Sequence, residues 1–275
     1  MSAKYNTSEV KEAIQRQCYF EFPLQITPED LDRLVKNFFA FIALPDSEKS
    51  KFAIDIKQDE RDRGTDLGWR RRSVDSGFGY DNKEFFHYNS QARDLFAQLA
   101  AQTPAAQALI ASLDPVYEVA FDVMKDMVRS LDGCYPGLYD KFFPESGQPS
   151  HVIRLLKYDR TRDGEFLAKG HYDRGSCTIA IAESAPGLRI GLDDQHLTEV
   201  IHRPSQGLFF PGISLGNYTK HELLPSWHDV VQKGDVAYSD DTSRWAIVFF
   251  CSPNDPNYFD RETVHTPIRR TNDVM

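Results

Sequence analysis

The chain has 275 residues, 41% of them hydrophobic and 27% charged, enough apolar side chain for one large domain with a sizeable core and too much for a disordered segment. Its 32 lysines and arginines against 41 aspartates and glutamates leave a net charge of −9, so it lacks the basic field that nucleic acid or an acidic membrane surface selects. The longest apolar run, Phe38 to Leu44, is far short of a bilayer span, and the opening MSAKYNTSEVKEAIQ has no apolar signal core, so a cytoplasmic protein with no membrane partner is expected.

After Thr27 and Pro28, the residues Leu31, Leu34, Val35, Phe38, Phe39 and Ile42 recur at helical spacing until Pro45, which predicts one helix with a single buried face. The stretch from about Asp59 to Asn89 mixes charge with aromatics and shows no clean period, so it reads as a long loop of the kind that often carries function. A second helical stripe, Val116, Ala120, Val123, Met124, Met127 and Leu131, is expected to begin after Pro115 and end at Gly133.

From His151 the pattern changes to short strands: HVIRLLKY, SCTIAIAE, GLRIG, LTEVIHR, GLFFPGI, SWHDVVQ and RWAIVFFC, separated by Gly, Pro, Asp and Asn. Many short strands at close spacing imply a sandwich or barrel. The expected arrangement is one α+β unit, a mainly helical region over 1–150 packed on a β core over 151–275. Cys18, Cys134, Cys177 and Cys251 are scattered with no CxxC, which argues against a zinc knuckle or a disulfide framework and for a reducing compartment.

Within the β half, His171 and Asp173 stand two residues apart, where strand geometry projects both side chains from one face. Such a pair is common by chance and gains weight only from its context. It runs on into the apolar strand SCTIAIAE, and His228 follows inside another predicted strand, WHDVV. Two imidazoles and one carboxylate from separate strands make the facial triad of non-haem iron(II) oxygenases. His221 competes for the distal role but sits in the loop sequence KHELL. Arg244 heads the apolar run RWAIVFF, and a planar guanidinium there can grip a carboxylate in bidentate fashion inside the barrel.

The series RLLKY (154–158), HYDRGSCTIAI (171–181), PGLRI (186–190), GLFFPGISLGNYT (207–219), WHDVV (227–231) and RWAIVFF (244–250) resembles the isopenicillin N synthase-like family of Fe(II)/2-oxoglutarate-dependent dioxygenases. The N-terminal helices and GYDNKEFFHY (79–88) resemble it too, so the likeness spans most of the chain in order. The resemblance implies a double-stranded β-helix, or jelly roll, with iron(II) held by His171, Asp173 and His228. It further implies that the distal carboxylate of 2-oxoglutarate meets Arg244 and the Tyr158 hydroxyl, and that O2 is the second cosubstrate. Three protein ligands leave three octahedral positions for a chelating 2-oxo acid and O2. The product set would be a hydroxylated or otherwise oxidised small molecule, succinate and CO2. Halogenation is disfavoured, since Asp173 takes the position that chemistry leaves open.

The chain departs from the family at the last strand, where Arg-x-Ser is usual and Ala246 stands in the serine's place. The spacing from His228 to Arg244 is also longer than usual, through QKGDVAYSDDTS, and Asp229 stands where arginine is common. An Fe(II)/O2 oxidase of the same fold that dispenses with 2-oxoglutarate is therefore the alternative, with a non-catalytic jelly-roll binding protein behind it. On the substrate side, the segment from Arg70 to Tyr88 carries a basic cluster in an acidic protein. Arg70, Arg72, Tyr80 and Phe86 are the expected contacts of a small, carboxylate-bearing substrate. The plainer alternative is that the arginines pair with nearby surface carboxylates.

Overall fold

The sequence places Thr27 where an N-cap belongs, and in the computed structural model its hydroxyl accepts the Asp30 backbone N–H while Pro28 opens the helix. The structure describes residues 4–54, 67–73, 82–145, 151–175, 177–253 and 266–268. In chain order, α1 (Thr7–Gln17) and β1 (Phe20–Pro23) precede α2 (Pro28–Ile42), α3 (Asp46–Lys49), β2 (Ala53–Ile54), β3 (Leu67–Arg72) and β4 (Lys83–Tyr88). Three helices follow: α4 (Ser90–Ala101), α5 (Pro104–Asp132) and α6 (Leu138–Phe142). The remainder is β5 (Val152–Asp159), β6 (Phe166–His171), β7 (Cys177–Glu183), β8 (Leu188–Gly191), β9 (Leu197–Glu199), β10 (Gln206–Pro211), α7 (Ile213–Tyr218), β11 (Trp227–Val231) and β12 (Thr242–Cys251).

These strands form two antiparallel sheets, an eight-stranded one in the order β1-β10-β7-β12-β5-β4-β3-β2 and a four-stranded one in the order β6-β11-β8-β9. The result is the expected α+β jelly roll. Its large sheet draws strands from both sides of residue 150. Among the described residues, no helix is long and apolar enough to cross a membrane.

The structure differs from the sequence expectation in β6, which is not among the expected strands and ends at His171 so that Asp173 lies beyond it, and in two further places. The second helix starts at Pro104 and continues through Pro115 as a single helix of 29 residues. Val116, Ala120, Val123, Met124 and Met127 lie on its buried face together with Leu109 and Leu113 from before the proline. Packing of that continuous stripe outweighs the backbone hydrogen bond that proline forfeits. The supposed loop from Asp59 to Asn89 contains β3 and β4, which pair with each other and, through β4, with β5. β4 shows no alternation because all six of its residues are buried, one of them charged, and β3 runs out into the exposed Arg71 and Arg72. Glu84 is 2% exposed and accepts bonds from Lys49 Nζ at 2.6 Å, Trp69 Nε1 at 2.7 Å and Arg71 Nη1 at 3.2 Å. A buried carboxylate with three donors is stable there, yet it erases the apolar-polar rhythm a strand usually shows.

The large sheet has two unlike faces. Phe86, Tyr88, Ile153, Leu155, Ile247 and Phe249 pack with the helices in the main core. Phe85, Leu156, Tyr158, Ala180 and Ala246 face the other way and form a second cluster with Ala168, Leu188 and Val230 of the small sheet. The candidate site lies in this second layer, between the sheets.

Candidate metal centre

β11 lies between β6 and β8, and the register sets His228 directly opposite His171. The two imidazole centroids are 4.3 Å apart. Asp173 stands two residues past the end of β6, in the connection to β7, with its Oδ1 at 3.8 Å from His171 Nε2 and 3.7 Å from His228 Nε2. The three offered ligand atoms lie within 4.8 Å of one another, and among the described residues this is the group of His, Cys, Asp and Glu side chains arranged to hold a metal ion.

The atoms not aimed at the centre are tied off. His171 Nδ1 bonds the Lys169 carbonyl at 2.7 Å, and His228 Nδ1 bonds the Ser226 carbonyl at 3.1 Å. An Nδ1–H donated to a carbonyl leaves the Nε2 lone pair for a metal, the tautomer that ligation requires. The Thr178 hydroxyl donates to Asp173 Oδ2, which leaves Oδ1 turned inward. Burial, reinforced by the neighbouring His228, pushes the His171 imidazole down to about 3, so it stays neutral. Burial alone would raise the Asp173 carboxyl, but the two imidazoles and the Thr178 hydrogen bond outweigh it and hold Asp173 below its ordinary value. Two imidazoles and one carboxylate on one side of a centre suit a divalent ion such as iron(II) with open positions opposite.

The triad shares its pocket with Arg244 and Tyr158, which stand opposite each other on β12 and β5. Arg244 is 2% exposed. Its Nη2 donates to Glu183, whereas Nε and Nη1 are buried without a hydrogen-bond partner in the protein. Gly187, at φ +130°, makes room beside this guanidinium: a Cβ there would fall 2.1 Å from the Val231 carbonyl oxygen. Orphaned guanidinium donors in a pocket are what an anionic group would satisfy.

Sequence reasoning thus brought His171, Asp173, His228, Arg244 and Tyr158 into one pocket, while His221 lies exposed in a turn away from it. The expected substrate contacts separate. Phe86 faces the helices, with its ring 5.2 Å from Phe41, because residues alternate along β4; the neighbouring Phe85 takes the barrel side instead. The Arg70 guanidinium donates to the Ile54 and Trp69 carbonyls at 2.9 Å each, along the sheet edge. Arg72 lies with its guanidinium carbon 5.3 Å from the Phe85 ring. Tyr80 falls outside the described residues. Lys83, Arg154 and Glu183 line the pocket and were not singled out as site residues from the sequence. The signal for Arg154 was available, a charge inside the apolar run RLLKY.

No protein-family model matches the chain, and no curated protein matches it. Solved structures do match in shape. The dioxygenase for auxin oxidation 1 from Arabidopsis thaliana, in a binary complex with 2-oxoglutarate, superposes with a TM-score of 0.70 at 16% identity over 96% of each chain. The dioxygenase for auxin oxidation in rice gives a TM-score of 0.65 at 18% identity, covering 94% of this chain and 84% of its own. JOX2, in complex with 2OG, Fe and JA, gives 0.67 at 18% identity, covering 90% and 71%. At such identities the likeness establishes the fold.

Proposed function

We propose that the chain is an Fe(II)- and 2-oxoglutarate-dependent oxygenase that oxidises a C–H bond of a small molecule. The observation that carries this reading is the convergence of His171 Nε2, Asp173 Oδ1 and His228 Nε2, with every competing atom of the three side chains already bonded to protein. Fold neighbours crystallised with 2-oxoglutarate, one of them with iron, support it. Iron(II) with 2-oxoglutarate and O2 supplies an oxidant able to remove hydrogen from an unactivated carbon, releasing succinate and CO2. The chain's own part is positioning. Lys169 and Ser226 carbonyls orient the imidazoles, Thr178 fixes the carboxylate, and Arg244 with Tyr158 fixes the far end of the 2-oxo acid. Ala168, Ala180, Leu188, Phe210 and Val230 line the space between with apolar groups that exclude water.

The substrate is read as small and carboxylate-bearing. Arg154 lines the pocket, its guanidinium carbon 5.1 Å from the Phe85 ring and 4.7 Å from the Phe250 ring, and Arg72 reaches the same Phe85 from outside. A guanidinium held over aromatic faces keeps its charge beside the pocket and can pair with a carboxylate. A cytoplasmic location is part of the same reading, supported by four free cysteine thiols. The second reading, an Fe(II)/O2 oxidase without 2-oxoglutarate, draws on Ala246 in place of a hydroxyl and on the hold of Glu183 on Arg244.

Anaerobic titration with Fe(II) and then 2-oxoglutarate, followed by a metabolite screen for succinate release, tests the proposal. One iron per chain and succinate release stimulated by a small acid are expected. Iron binding with O2 consumption indifferent to 2-oxoglutarate would select the oxidase.

A further inference from the structure

Glu183 is the last residue of β7, and simple alternation from Thr178 and Ala180 would turn it away from the pocket. A register shift intervenes. Val248 pairs with Ala180 but Ile247 pairs with Ala182, so one residue of β7 is passed over and Glu183 comes to stand opposite Ala246. A bulge of this kind re-aims a side chain. Here it puts a carboxylate, 7% exposed, onto Arg244 beside the place where a hydroxyl is missing.

We propose that Glu183 is a specificity-determining residue of the cosubstrate end of the pocket, competing with the distal carboxylate of an incoming 2-oxo acid for Arg244. This rests on the 2-oxo acid reading above. Arg244 offers one positive charge and Glu183 already answers it. A diacid must therefore share or displace that carboxylate, and like charges on one guanidinium repel. Lys83, opposite Tyr158 on β4 with its Nζ 6.0 Å from the tyrosine ring centroid, and Arg154 line the same pocket. A 2-oxo acid with an uncharged tail meets neither the repulsion nor the competition. The site therefore discriminates less in favour of 2-oxoglutarate than a lone buried arginine would.

The test is calorimetric titration of the anaerobic, Fe(II)-loaded full chain with 2-oxoglutarate and with 2-oxopentanoate, which keeps the chelating end and lacks the distal carboxylate. In Glu183→Gln, and in Glu183→Ala as a second variant, 2-oxoglutarate is expected to bind about tenfold tighter or more, the scale of one charge-assisted contact. Binding of 2-oxopentanoate should stay within about twofold of wild type. The wild type needs no folding control: it should prefer 2-oxoglutarate over 2-oxopentanoate by no more than about tenfold. Unchanged or weaker 2-oxoglutarate binding in the folded variants, or a preference of about a hundredfold in the wild type, overturns the role of Glu183 while leaving the 2-oxo acid reading intact. If neither acid binds the iron-loaded wild type or variants, the 2-oxo acid reading itself fails and takes the inference with it.

Discussion

The two faces of the large sheet are one residue apart in sequence and opposite in purpose. On β5, Ile153 and Leu155 look towards the helices, whereas Arg154, Leu156 and Tyr158 look into the pocket; on β12, Ile247 and Phe249 alternate in the same way with Ala246, Val248 and Phe250. Histidine shows the contrast most clearly. His151, just before β5, is wholly buried among Phe121, Phe143 and Phe249. His171 and His228 turn their Nε2 atoms towards a shared carboxylate. A strand lets one face carry stability and the other carry chemistry, provided the register holds.

That separation can be broken from either side. The largest effect is expected on the pocket side: His228→Ala should abolish turnover and weaken iron by more than the roughly 10–100-fold that loss of a supporting hydrogen bond costs. Its urea midpoint without metal should stay near that of wild type. Full iron stoichiometry with retained activity would show the triad to be misassigned. On the helix side, Phe249→Ala removes a ring that is 0% exposed and packs against Tyr117 and His151. It should cost about 3–5 kcal/mol of unfolding free energy. Whatever folded protein remains should bind one iron per chain; a folded variant unable to do so would mean that the two faces are not separable.

The same contrast explains what the sequence could disclose. In the second half β5, β7, β8, β9, β10, β11 and β12 were legible as apolar runs, as were α2 and the part of α5 after Pro115, and His171, Asp173, His228 and Arg244 stand out against them. Tyr158, by contrast, came only from the family resemblance, and β6 was not legible because Lys169 and Gly170 break its apolar run FLAKGH. β3 and β4 were not legible, because Glu84 is buried by Lys49, Trp69 and Arg71 from elements distant in sequence. Phe86 and Phe85 differ only in phase, and no periodicity in KEFFHY fixes which one faces the pocket; the pairing with β5 does. Glu183 was hidden for a related reason. A bulge is one extra residue in one strand, and nothing in CTIAIAE announces it until β12 is laid alongside.

The smallest predicted effect sharpens the histidine contrast. Burial pushes the His151 imidazole down to about 3, opposed by a hydrogen bond with the Phe142 backbone. Above an unfolded value of about 6.5 the ring is neutral in both states and contributes no pH dependence. As pH falls below that value the unfolded chain takes up a proton that the folded chain refuses. Stability is therefore lost as pH drops from about 6.5 towards 3, by about 1.4 kcal/mol per pH unit once well below 6.5. His171, held down by burial and by His228, adds to the loss in metal-free protein. Iron bound at Nε2 adds its own pH dependence, so the measurement is made on metal-free protein, where both variants can be compared with wild type. In His151→Leu the loss between pH 6 and pH 5 should be about 1.2 kcal/mol smaller than in wild type, as read by urea unfolding at each pH. His171→Leu should show a reduction of the same sign but lose iron, whereas His151→Leu keeps it. Parallel stability curves for wild type and His151→Leu across this range would mean that His151 takes up its proton in the folded chain as readily as in the unfolded one, and would overturn the prediction.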